Sequence, residues 1–439
     1  MNMTFVGYPR RVRLIYAPNR VINTDDTLQP IAPESGFSSQ SIFTREFRKY
    51  YVKSPTEIRA GRKYGGNKMN GQWTKEAAWS WYNKRPWIRG CNFMSSDCAN
   101  RIDQWQEFGF EERFETTKRE IELAESIGFN SFRLILEFEV WDKEHDGFMK
   151  RLDRYLACMY EHGITAMIVL ANDCSVPKSL YKPPVMGPQR YDIGYHGGRK
   201  ASPHRAYDGY DERWHILDDP DTALKYQEFV REIITTYAHD PRVIVWNIFN
   251  EPGNGRGAKC VPHMEKFFEI AWTISPDQPL CADVWTGMTG GHAKSEAEQR
   301  ALELSDVISF HNYGSYVGNI DLIEQLKLTD RPLFATEWLH RIFNNTVYET
   351  YPLLYLEKIG SYNWGFVAGK YQTYEPWESI WATIEKGGGN DYDITKWQHD
   401  LFRPSLRPYD PKEIELIKRY NEKADARFKS GLDKKLFGK

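Results

Sequence analysis

Two hydrophobic periods alternate along most of the chain. Short runs dense in β-branched and aromatic residues, such as 131–138 (SFRLILEF), 164–170 (ITAMIVL) and 243–248 (VIVWNI), are apolar at consecutive positions. That pattern belongs to strands buried on both faces of a parallel sheet. Longer segments between them place apolar residues three and four apart. In 111–127, Phe114, Ile121, Leu123, Ala124 and Ile127 form one stripe that stops at Gly128, the periodicity and the terminator of an amphipathic helix.

Continued along the chain, the alternation predicts strands at 87–93, 131–138, 164–170, 243–250, 280–285, 307–311, 332–337 and 361–367. Helices are predicted at 111–127, 148–161, 221–238, 263–274, 296–304, 320–326 and 348–359, and a last charged helix at 411–428. Asp219 or Asp221 can cap the third helix, with Pro220 in its first turn. Eight strands alternating with helices imply an α/β chain folded as a (β/α)8 TIM barrel. The 439 residues exceed the roughly 250 of a minimal barrel. Residues 1–80 lack sustained periodicity and are expected to form an extension packed on the barrel, with short strands such as 11–16, leaving 81–439 as the catalytic barrel. The other excess is a loop after strand 3, 172–219, rich in Pro and Gly. A structureless loop of that length is usually functional, and its origin on the C-terminal face makes it a wall or lid of the cleft.

Two strands deliver carboxylates to that face. The fourth ends in Asn250-Glu251-Pro252, and the seventh, PLFATE, ends at Glu337 before Trp338. Catalytic residues of such barrels come from the C-terminal ends of several strands. Two acids in different environments are what glycoside hydrolysis needs, one protonated to donate to the leaving oxygen and one ionised to attack the anomeric carbon. Arg133 adds to this picture because a guanidinium inside an apolar strand is costly unless a carboxylate pairs with it.

These residues resemble the retaining glycoside hydrolase clan that includes the family 5 cellulases and mannanases, over roughly residues 85–370. The clan's acid/base lies in an Asn-Glu-Pro motif ending strand 4, matched by Asn250-Glu251-Pro252, and its nucleophile is a glutamate ending strand 7, matched by Glu337. The resemblance implies that Arg133 lies beneath the nucleophile, that Asn250 contacts the sugar 2-hydroxyl, and that His311 and Tyr313 of FHNYG are the His-x-Tyr pair ending strand 6. It also implies that Tyr313 orients the nucleophile and that Trp364 floors the sugar site. One departure stands out: such enzymes often carry a histidine near the end of strand 3, where this chain reads Leu170-Ala171-Asn172-Asp173. Asn172, Trp285 and Trp141 follow strand ends and are further candidates for the cleft.

Composition narrows the alternatives. Fifty-eight Lys and Arg against 60 Asp and Glu, a net charge of −2, give no electrostatic case for nucleic acid or an anionic membrane. Fifteen Trp and 26 Tyr suit the faces of sugar rings. The six cysteines show neither a CxxC pair nor a disulfide framework, and no HxH pair or His/Asp cluster has ligand spacing, so no metal or other cofactor is expected. No signal-like or membrane-length apolar run occurs, so a cytoplasmic location is expected. The expected activity is retaining hydrolysis of a β-linked oligosaccharide or glycoside. A transglycosylase with the same residues, a silent carbohydrate-binding barrel and a metal-dependent hydrolase are the alternatives; sugar configuration, exo or endo action and oligomeric state stay open.

Overall fold

The computed structural model describes residues 28–34, 37–51, 55–56, 71–174, 176–178, 182–190 and 213–437. The chain divides into two compact units, residues 1–70 with 289–292, and residues 71–288 with 293–439.

The larger unit is a closed (β/α)8 barrel of eight parallel strands: β1 Arg89–Asn92, β2 Ser131–Ile135, β3 Thr165–Asn172, β4 Val243–Asn250, β5 Leu280–Val284, β6 Ile308–His311, β7 Leu333–Glu337 and β8 Gly360–Asn363. Each strand pairs with its sequence neighbours, and β1 closes the ring against β8. Closure is tight at Gly90, where a Cβ would stand 1.6 Å from the Ser131 carbonyl oxygen. Helices connect the strands, and the expected cap at Asp219 forms, accepting from the Thr222 N–H at the start of Pro220–Tyr237; Asp410 likewise accepts from the Lys412 N–H at the start of Pro411–Lys429. The helix Pro220–Tyr237 buries Tyr226, Phe229, Val230, Ile233 and Ile234 against the barrel.

The barrel has a floor. Helix Lys75–Asn83, capped by Thr74, inserts Ala78, Trp81 and Tyr82 against Ile88, Met167, Val245, Cys281, Val307, Phe334 and Tyr362, near the beginnings of the strands. Tyr82 also donates to the Lys358 carbonyl at 2.5 Å. With that end filled by apolar side chains, the C-terminal ends are left for polar chemistry.

Several boundaries differ from the sequence expectation for local reasons. β2 stops at Ile135, and the apolar run continues as helix Phe138–Lys143. β8 stops at Asn363, because Gly365 turns the chain with φ 77 and its carbonyl accepts from the Asn363 amide. The long loop after β3 is tied at its base, where Val176–Pro177 pairs antiparallel with Arg213–Trp214. Its 182–190 stretch lies against the loop after β1, with Gln106 exchanging two hydrogen bonds with Gly187.

The smaller unit contains helices Leu28–Glu34 and Gln40–Tyr51. Ser39 accepts from the Ile42 N–H at the second helix's start, and the Phe37 and Phe43 rings meet at 5.4 Å beside buried Ile31 and Ala32. Pro30 and Pro33 interrupt the first helix's periodicity, which is why the segment reads as irregular from sequence. The expected strand at 11–16 lies outside the described residues.

Candidate active site

A polar layer fills the C-terminal half of the barrel, organised by Arg133 on β2. Its side chain is fully buried. Nη1 donates to Glu337 Oε1 at 2.9 Å and to Asn92 Oδ1 at 2.8 Å; Nη2 donates to Asp283 Oδ2 at 2.9 Å and Asn250 Oδ1 at 2.6 Å. The cost of desolvating the guanidinium is met by two carboxylates and a fork of amide oxygens. Asp283, on β5, also accepts from Asn247 Nδ2 at 2.9 Å and Thr336 Oγ1 at 3.1 Å. Burial alone would raise its carboxyl, but Arg133 and then His311 hold it well below the usual carboxylate range.

Glu337 closes β7 and Glu251 follows β4 directly. Tyr313 donates its hydroxyl proton to Glu337 Oε2 at 2.7 Å. Between the two glutamates sits His311, with Nδ1 2.8 Å from Glu251 Oε1 and 3.4 Å from Glu337 Oε2, and Nε2 3.4 Å from Asp283 Oδ2. Three carboxylates around one imidazole outweigh its burial and push His311 up to about 10, so it is an imidazolium at neutral pH. Donor atoms of Glu251, His311 and Glu337 all lie within 4.8 Å of one another. That spacing is close enough for a cation, yet Arg133 and protonated His311 already set positive charge against these carboxylates, and no metal ligand is assigned.

Glu251 reaches the cluster from a left-handed backbone, φ 44, a conformation that persists in a non-glycine residue only when its surroundings over-determine it. Here the loops do so. Asp173, fully buried beyond β3, accepts from the Gly253 N–H at 2.8 Å and pairs with the guanidinium of Arg256, which also pairs with Asp218 on the returning arm of the long loop. Burial pushes the Asp173 carboxyl up to about 6 against the pull of Arg256. Glu251 Oε2 accepts from Asn254 Nδ2 at 2.6 Å and from the Cys174 thiol at 3.1 Å. Burial alone would raise Glu251, but donation from His311, Cys174 and Asn254 holds it below its ordinary value, whereas burial raises Glu337 against the pull of His311 and Arg133.

Of the residues singled out from sequence, Glu251, Glu337, Arg133, Asn250, His311 and Tyr313 form this one hydrogen-bonded cluster. Asn172 adjoins it, accepting from Asn250 Nδ2 at 2.8 Å. Trp285 packs on the same turn, donating from Nε1 to the Pro252 carbonyl at 3.2 Å. Trp364 and Arg133 line a small cavity of about 40 Å³ with Asn92, Arg101, Gln104 and Thr373. Trp141 is a correction. It lies on helix Phe138–Lys143 in the helical shell, its ring against Phe138 and Phe229 and its Nε1 donating to Glu232 at 2.8 Å. The early end of β2 turns the residues after it into a helix whose apolar face must pack outward, not over the cleft.

Sequence reading missed Asp283, Asn247, Asn92, Asn254 and Cys174. Asp283 in LCADV and Asn247 in VIVWN carry the same signal as Arg133, a polar residue within an apolar strand. Nothing of that kind marks Cys174.

A family model described as a helix-turn-helix domain matches residues 1–61. The HTH-type transcriptional regulator ExsA of Pseudomonas aeruginosa is 40% identical over 50 residues, 11% of this chain, and the chain spans 18% of that relative's length. Solved structures similar to the chain include a glycoside hydrolase family 5 mannosidase from Rhizomucor miehei, at 14% identity over 81% of this chain and 99% of the other, with a TM-score of 0.48. An exo-β-1,4-mannosidase from Opitutaceae bacterium strain TAV5 has 14% identity over 78% of this chain and 60% of the other, with a TM-score of 0.46. A hyperthermostable endo-1,4-β-D-mannanase from Thermotoga petrophila RKU-1 has 17% identity over 77% of this chain and 99% of the other, with a TM-score of 0.44. The barrel itself is established by its own strand pairing, independent of these likenesses.

Proposed function

We propose that the barrel is a retaining β-glycosidase in which Glu337 attacks the anomeric carbon and Glu251 serves as acid and then base. The observation that carries this reading is the convergence of the two carboxylates, oxygens within 4.8 Å, around one imidazolium. Retention uses carboxyl groups about 5–5.5 Å apart, whereas inversion needs about 6.5–9.5 Å to admit a water. The division of roles follows from what each carboxylate touches. Glu337 is bound by Arg133, which cannot give up its proton, and this pairing favours the ionised nucleophile against the rise that burial imposes. Glu251 is bound by His311, which can exchange a proton, and so is the carboxyl able to gain and lose one. A lowered Glu251 beside a raised His311 favours that proton resting on His311 in the substrate-free site, one hydrogen bond from Glu251.

The two roles separate under azide. After a screen of aryl β-glycosides and β-linked disaccharides has found a substrate, E337A with azide should yield the inverted α-glycosyl azide. E251A should still form the glycosyl-enzyme from a dinitrophenyl glycoside, then stall, with azide restoring turnover to a β product. Swapped azide products would reverse the roles. Less than about a hundredfold loss in both variants would move the site elsewhere.

The N-terminal unit supports a second reading, nucleic-acid binding. Residues 1–61 match the helix-turn-helix model, carry nine Lys and Arg against five Asp and Glu, and include the capped helix Gln40–Tyr51 with Gln40, Ser41, Arg45 and Arg48 exposed. The whole-chain charge averages this local excess away. A duplex-DNA mobility shift by the full chain, weakening steeply with salt and lost in a Gln40/Arg45/Arg48 triple alanine variant, supports it; no shift at 50 mM salt overturns it.

A further inference from the structure

Cys174 lies two residues beyond β3, directly after the stretch Leu170-Ala171-Asn172-Asp173 where the chain departs from the family pattern. Its sulfur is 3.1 Å from Glu251 Oε2. The amide groups of Asn250 and Asn254 each direct an N–H at that sulfur from 3.6 Å. With two donors aimed at the sulfur, the thiol proton has one acceptor left, the Glu251 carboxylate. The backbone is fixed as well, since the Cys174 N–H donates to Asn172 Oδ1 at 3.1 Å.

We infer that Cys174 is a positioning residue for the acid/base: its thiol holds Glu251 Oε2 in place and sets how readily that carboxyl releases its proton. The inference rests on the glycosidase reading and deepens it. Burial and the neighbouring Glu251 charge keep the thiol well above its ordinary value, so it stays protonated and acts as a donor rather than as a nucleophile. The charged and titratable groups around this pair are His311 and Tyr313 from the β6 end, Glu337 from β7, Asp283 from β5, Arg133 from β2, and Arg101, whose charge reaches the thiol. None of the other five cysteines donates to either glutamate among the described contacts.

A donor to a carboxylate favours its ionised form, so removing the donor raises the carboxyl's pKa. Glu251 must hold the proton it shares with His311 to act as acid, so the last ionisation of that coupled pair sets the alkaline limb of kcat/KM against pH. In full-length C174A and C174V the alkaline limb should therefore move upward by about half a pH unit or more. C174S, which keeps a donor, should return it to the wild-type position. A merely structural role would lower activity at every pH and leave the limb in place, so an unmoved limb in folded C174A or C174V, or an equal shift in C174S, overturns the inference.

The carboxyl can also be followed without turnover, through the pH titration of the Glu251 ¹³Cδ resonance, identified by its loss in E251Q. An upward shift in C174A from a wild type that cleaves no glycoside would overturn the glycosidase reading and keep the inference. Turnover with an unchanged Glu251 titration would do the reverse.

Discussion

Arg133 shows how one residue can organise a site. Its guanidinium spans two buried carboxylates, Glu337 and Asp283, at 2.9 Å each. Breaking such a buried pair leaves uncompensated charge, so R133M should lose about 3–5 kcal/mol of stability in a urea titration and most of its activity. Trp141 makes the opposite prediction. Since its indole serves the helical shell, W141F should cost about 1 kcal/mol through the lost bond to Glu232 and leave kcat/KM within about twofold. A tenfold fall in kcat/KM would return Trp141 to the cleft. Legibility at this scale followed cost. A charge inside an apolar strand demands a partner and so announces itself, as Arg133 did and Asp283 could have. A thiol in a polar loop demands no such partner, and Trp141 was misplaced because distance from a strand end says little once a helix intervenes.

At the scale of elements, the strands were readable because burial on both faces leaves unbroken apolar runs, and β4 and β7 keep that pattern up to their glutamates. Ends were less readable. They depend on tertiary partners, such as the Asn363 bond to Gly365 that stops β8 and the outward face of Phe138–Lys143 that extends β2's apolar run. The loop after β3 was legible only as a loop near the cleft; that it clamps the Glu251 turn through Asp173, Arg256 and Asp218 depends on residues far apart in sequence meeting in the fold. The clamp predicts a selective defect. D173N should weaken the hold on Gly253 and Arg256 and misplace the proton donor, cutting kcat at least tenfold for alkyl aglycones while dinitrophenyl glycosides lose little. Equal losses for both aglycones would make Asp173 a general scaffold residue.

The whole molecule stores further buried acids away from the Glu251–Glu337 cluster. Glu120 accepts from Ser96 and Asp400 accepts from Thr373, both fully buried; burial pushes them up to about 8 and about 7. Each keeps its proton to higher pH in the folded than in the unfolded chain. The stability they contribute is present at low pH and lost as pH rises through these folded values. Histidine 340, held neutral at about 3 by burial, acts in the other direction only below about pH 6.5. Thermal midpoints should therefore fall from pH 6.5 to 8, and E120Q should flatten the fall; a midpoint that climbs over this interval would contradict the assignment.

The central claim is that Glu337 forms a covalent bond to the sugar. It is tested most directly by incubating the full chain with an activated 2-deoxy-2-fluoro-β-glycoside of the sugar it turns over, then locating the adduct by peptide mass. One glycosyl group should appear on the peptide that contains Glu337 and be absent from E337Q. An adduct on Glu251 or another residue, or turnover that releases the α anomer first with no adduct at all, would contradict it.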